Sequence, residues 1–167
     1  ASAAAGGQLK VDHARGLLEA SGHRLSARVL LFGYSASGTF VDRFTALHLD
    51  RVQGVAAGGV NALPILPHRE LEGVELPFPI GVADVADLTG RPFDRAAWRR
   101  VPQLVFMGAE DRNDTLPFDD AWDDDERELI ATLLGEDMMP GRWDRVCDLL
   151  RGEPGIELRT YVGRGHE

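Results

Sequence analysis

The chain has 167 residues, 44% hydrophobic and 27% charged, which suits one soluble globular domain with a real core. A formal charge of −9 argues against nucleic acid and against an anionic membrane surface, because both repel it at long range. One cysteine, Cys147, excludes an intrachain disulfide, and no run of about 18 apolar residues is present to span a membrane.

Residues 8–20 set Leu9, Val11, Ala14, Leu17 and Leu18 on one helical stripe, and Gly22 follows where a helix ends. "ARVLLF" at 27–32 is too short for a helix and too apolar to be half exposed, so it reads as a strand buried in a parallel sheet. Small residues then interrupt the chain, and 39–50 read as a helix through Phe40, Phe44 and Leu47. Further strands are expected at 51–59, 101–108 and 155–163, with helices at 119–135 and 142–152. Strands alternating with helices predict an α/β fold, a mostly parallel sheet with helices on both faces.

Residues 61–100 carry most of the prolines and little periodicity, so they are expected to form a lid-like insertion in a single domain spanning 1–167. The acids from Asp119 to Glu126 read as a solvated helix start favoured by the helix dipole, rather than as a metal cluster. No Cys or His pair has metal-ligand spacing, and no cofactor or metal is expected. The N-terminal "ASAAAGGQ" lacks the basic and apolar regions of a signal peptide. The compartment stays open, with the cytoplasm slightly favoured.

The chemistry concentrates in three places. In "GYSASG", Ser35 stands at an abrupt strand-to-helix corner, flanked two residues away by Gly33 and Ser37, with Gly38 next. A serine attacks a carbonyl only when it is exposed, reachable by a base and close to N–H groups that hold the oxyanion, and a tight corner supplies exposure and donors. Asp111 lies three residues past Gly108 in "GAEDRND", where a carboxylate can orient an imidazole. His166, in "GRGH", follows the last strand. Each sits just past the C-terminal end of an expected parallel strand, where open α/β sheets bind ligands.

Glu110 and Asp114 compete with Asp111 as the acid. His13, His23, His48 and His68 follow no strand and read as surface or capping residues, and Trp98, Trp122, Trp143 and Phe78 as core or lid packing. Cys147 reads as a buried thiol.

Together "GYSASG", "GAEDRND" and "GRGH", in that order, resemble the α/β-hydrolase family, and "GYSASGTFVDRFTALHLDRVQGVAAGG" resembles its poly(3-hydroxyalkanoate) depolymerase-like members. The resemblance implies a serine hydrolase acting on a small or polymeric carboxylic ester. Ser35 would be nucleophile, His166 base then acid, Asp111 the orienting carboxylate, Ala36 N–H an oxyanion donor and Tyr34 a substrate-binding residue. Only 1–27 precede the first strand, so the chain is expected to be the C-terminal portion of a hydrolase lacking the early strands. The second oxyanion donor is then unassigned, with Gly59, Val60 and the lid as candidates. A noncatalytic hydrolase-like binding protein is the alternative, and a phosphate cradle at the corner is disfavoured by the lack of a nearby lysine. The first strand is expected at an exposed edge that promotes association, including a homodimer.

Overall fold

The computed structural model describes residues 3–118 and 121–167; Asp119 and Asp120 of the acidic run lie outside the described residues. Helix α1 (Ala3–Ala20) begins earlier than the apolar stripe suggests. Then come β1 (Val29–Tyr34), α2 (Ala36–Leu47) and β2 (Val52–Gly58). The segment that shows little periodicity holds the short hairpin β3 (Glu70–Leu71) and β4 (Val74–Glu75), then α3 (Val85–Thr89) and α4 (Arg95–Arg100). It contributes Ile65, Leu66, Leu76, Ile80, Val82 and Trp98 to the buried interior. Strand β5 (Gln103–Gly108), α5 (Asp124–Leu133), α6 (Trp143–Leu149) and β6 (Ile156–Tyr161) complete the chain.

Helix α5 starts later than its acidic run because Asp123 caps it. The Asp123 side chain accepts from Glu126 N–H, and the Glu126 carboxylate accepts in return from Asp123 N–H. Asp124, Asp125 and Glu126 then occupy the first turn, where the helix dipole favours negative charge.

The main sheet is parallel throughout, in the order β1-β2-β5-β6. Val55, Ala57, Val105 and Met107 point to one face and are buried with Phe44 of α2, Trp143 and Val146 of α6, and Trp98 of α4. Their neighbours Leu30 and Phe32 point the other way and are 75% and 74% exposed. The expectation of helices on both faces is therefore corrected: among the described residues, helices pack on one face. The strand order explains this. Right-handed crossovers that all step in the same direction across a sheet all lie on the same side. Among the described residues the expected edge position of the first strand is observed, since β1 pairs there with β2 alone.

Candidate active site

Between β1 and α2 the chain turns on Ser35, whose φ of 60° and ψ of −130° lie in a region that a non-glycine residue occupies at a cost of about 1–3 kcal/mol. Small neighbours make the turn feasible. A Cβ on Gly33 would run into the Ser37 carbonyl, and one on Gly38 into the Gly58 carbonyl of β2. Ser37 Oγ donates to Tyr34 O at 2.8 Å and accepts from Tyr34 N–H at 3.0 Å, while Ser35 N–H donates to Gly58 O at 2.9 Å. The strain at Ser35 is thus held by hydrogen bonds on both sides of it.

Ser35 Oγ lies 2.8 Å from His166 Nε2, and His166 Nδ1 lies 2.8 Å from Asp111 Oδ2. Asp111 is only 2% exposed, and its other oxygen accepts from Asn113 N–H at 2.9 Å. Three loops, each at the C-terminal end of a strand, are thereby joined into one hydrogen-bonded chain. With Nδ1–H donated to the carboxylate, Nε2 keeps its lone pair turned toward the serine hydroxyl.

The competing carboxylates lie elsewhere. Glu110 is exposed, and Asp114 forms a two-pronged ion pair with fully buried Arg142, at 3.0 and 3.2 Å. Arg142 also donates to the carbonyls of Asn61, Gly135 and Glu136, and Asn61 Oδ1 accepts from Thr115 N–H at 3.2 Å. The loop presenting Asp111 is consequently tied down just beyond it by a guanidinium from the start of α6.

Tyr34 stacks obliquely beside the imidazole, with ring centroids 5.0 Å apart, and its other flank approaches Phe106. Its hydroxyl is buried beside the Glu167 backbone. Burial first, then the Asp111 charge, push its pKa above the ordinary phenol value, so it stays protonated and able to donate. Tyr34, Phe106, Tyr161 and Arg164 line a cleft of about 590 Å³ together with Gly165 and Glu167, the chain neighbours of His166. A larger cleft of about 770 Å³ lies at the opposite, N-terminal end of the strands, among Arg28, Leu47, Phe93 and Val101.

Ala36 N–H lies at the start of α2, immediately after Ser35. Gly59, a candidate second oxyanion donor, has its N–H engaged by Phe106 O at 3.0 Å. His13 and His23 are exposed, and His48 is buried at the end of α2 against Phe44. Half-buried His68 has its pKa lowered by burial and by Arg95. Cys147 packs half-buried against the core, and burial raises its thiol to about 11, which keeps it protonated and unreactive. Among the described residues no helix is long and apolar enough to cross a membrane, and no group of three or more His, Cys, Asp or Glu is placed to hold a metal.

The sequence reading missed Asn113. Its side-chain Nδ2 lies 3.1 Å from the same His166 Nε2 that faces Ser35. The available signal was the Asp-x-Asn spacing, since an aspartate often accepts from the N–H two residues on and turns the following residue back toward itself.

A parallel sheet with a serine corner after its first strand, an acid loop after its third and a histidine loop after its last is the arrangement of the α/β-hydrolase fold, and the chain has that fold. It is similar to LpqC, a poly(3-hydroxybutyrate) depolymerase from Bordetella parapertussis, at 22% identity and a TM-score of 0.53, covering 95% of this chain and 52% of that one. It is also similar to poly(aspartic acid) hydrolase-1 from Sphingomonas sp. KT-1, at 19% identity and a TM-score of 0.51, covering 92% of this chain and 55% of that one. The chain therefore spans about half the length of these two proteins. No family model and no curated protein matches it.

Proposed function

We propose that this chain carries the reacting groups of a serine hydrolase that cleaves carboxylic esters through an acyl-enzyme. The observation that carries this reading is the hydrogen-bonded chain from Ser35 Oγ through His166 to Asp111, with both links at 2.8 Å. His166 Nε2 takes the Ser35 proton as Oγ attacks the carbonyl carbon, and then returns it to the departing alkoxide. Asp111, buried and aligned on Nδ1, keeps the tautomer that makes this possible and stabilises the imidazolium formed.

Ala36 N–H is one donor to the oxyanion. A second must come from outside Gly59, whose N–H is already engaged, and losing one such donor typically costs about 2.7–4 kcal/mol of barrier. Tyr34 forms a wall of the substrate cleft beside the imidazole, together with Phe106 and Tyr161. The polyester and poly(amino acid) named for the two similar proteins favour a polymeric substrate with repeated acyl bonds.

Labelling with a fluorophosphonate tests the reading. Ser35 is expected to be modified and Ser35→Ala to be silent; equal labelling of both would remove Ser35 as nucleophile. The engaged Gly59 N–H favours one second reading, a noncatalytic protein that keeps the hydrolase shape. Absence of labelling together with retained binding of an ester polymer would select it.

A further inference from the structure

We propose that Asn113 positions the water that hydrolyses the acyl-enzyme, an inference that rests on Ser35 being acylated with His166 as its base. Asn113 is held at two points around His166. Its N–H donates to Asp111 Oδ1 at 2.9 Å, and its carboxamide reaches His166 Nε2 at 3.1 Å, while Asp111 Oδ2 holds the opposite ring nitrogen at 2.8 Å. Residues 111 and 113 thus clamp the imidazole from both ends.

Nε2 has a single in-plane lone pair, and in the free protein the Ser35 hydroxyl and the Asn113 amide compete for it. Acylation removes one competitor, because an esterified Oγ has no proton to donate. The oxygen that next exchanges a proton with Nε2 is water, at hydrogen-bond distance from that nitrogen and therefore within reach of the exposed Asn113 carboxamide. A carboxamide turns easily about its last torsion and offers an acceptor as well as a donor. Water can then direct one proton to Nε2 and the other to Asn113 Oδ1, which leaves an oxygen lone pair aimed at the acyl carbon.

In that step the water oxygen bonds to the acyl carbon and its proton passes to Nε2. As the tetrahedral intermediate collapses, the carbon–Oγ bond breaks, Nε2 returns the proton to Ser35 Oγ and the carboxylic acid leaves. Asn113 is unchanged throughout. In the first half-reaction no water is required and the alcohol leaves from the same position, so Asn113 bears mainly on the second.

The experiment compares the unsubstituted protein with Asn113→Leu, which keeps the bulk of the side chain and removes its polar atoms. Pre-steady-state release of p-nitrophenol from p-nitrophenyl acetate is followed beside fluorophosphonate labelling. Asn113→Leu is expected to lower kcat by about 10- to 100-fold, with KM falling alongside it, to change its labelling rate and kcat/KM far less than kcat, and to show a burst of one equivalent followed by slow turnover. Hydroxylamine, a stronger nucleophile that needs no positioned base, should restore the rate. Unchanged kcat would overturn the inference, as would equal losses in kcat and kcat/KM. If Ser35 is not labelled in the unsubstituted protein, the nucleophile assignment fails first and this inference fails with it.

Discussion

The two faces of the sheet differ in what stands on them. One buries Val55, Ala57, Val105 and Met107 beneath α2, α4 and α6, while the other leaves Leu30 and Phe32 about three-quarters exposed. Along β1, β2 and β5 both faces are largely apolar in sequence, with Glu157 and Arg159 of β6 adding charge to the open one, yet only one face is covered, because crossovers of one hand along β1-β2-β5-β6 all pass on the same side. The serine corner and the acid loop are anchored from the covered side: α2 presses Gly38 against the Gly58 carbonyl, and Arg142 grips Asp114. The comparison teaches that the geometry of the candidate site is set by one layer of helices, so damage to the two faces should have very different effects.

The largest effect is expected where that anchoring meets the reacting groups. Asp111→Asn should leave the fold intact and lower ester turnover by about 10⁴-fold, because the amide selects the wrong imidazole tautomer. Steady-state kinetics with far-UV circular dichroism would check both halves of that statement. If Asp114→Asn had the larger effect on turnover, its pairing with Arg142 would not be its main role.

Next is the covered layer itself. Trp143 is 1% exposed and its indole N–H donates to Thr160 Oγ1 at 2.7 Å. Trp143→Ala should destabilise the protein by about 3–5 kcal/mol in urea unfolding, through the cavity it leaves.

A subtler probe of the same layer is Asp42 of α2, whose carboxylate accepts from Ile65 N–H at 2.8 Å deep in the interior. Burial pushes its pKa from 3.8 up to about 6, against the opposing pull of that hydrogen bond and of Arg43. A raised value means that the neutral acid suits the folded state. Its stabilising contribution is complete below 3.8 and is lost as pH rises through about 6. Asp42→Asn keeps an oxygen for Ile65 and should add about 1–3 kcal/mol of stability at pH 8 and little at pH 3.5, measured by urea unfolding at the two values.

The smallest effect is expected on the open face. Leu30→Ser with Phe32→Ser should change stability by no more than about 0.5 kcal/mol, since little burial is lost. The same pair should reduce concentration-dependent association in light scattering, because an apolar face beside an unpaired edge strand invites contact with other chains. A loss comparable to that of Trp143→Ala would break the comparison, for it would mean that the open face is well covered in solution.

Much of the fold was legible in the sequence because strands and corners are written in local chemistry. Apolar runs such as "VLLF" and "LVFM" have no polar side to show water, and the small residues around Ser35 are required by any tight turn there. The places of Ser35, Asp111 and His166 after strand ends follow from the same local signals. The acidic run likewise marked a helix start, although its first turn waits for the cap at Asp123.

Other features were decided only when distant segments met. Glu110, Asp111 and Asp114 stand within one short loop and look alike in sequence. Arg142, far along the chain, takes Asp114, while Asp111 turns inward to His166. The role open to Asn113 depends on an imidazole that no local pattern brings near it. Which face of the sheet carries the helices was equally hidden, because an apolar strand reads the same under either side. Strand order and crossover hand, which arise from the path of the whole chain, make that choice.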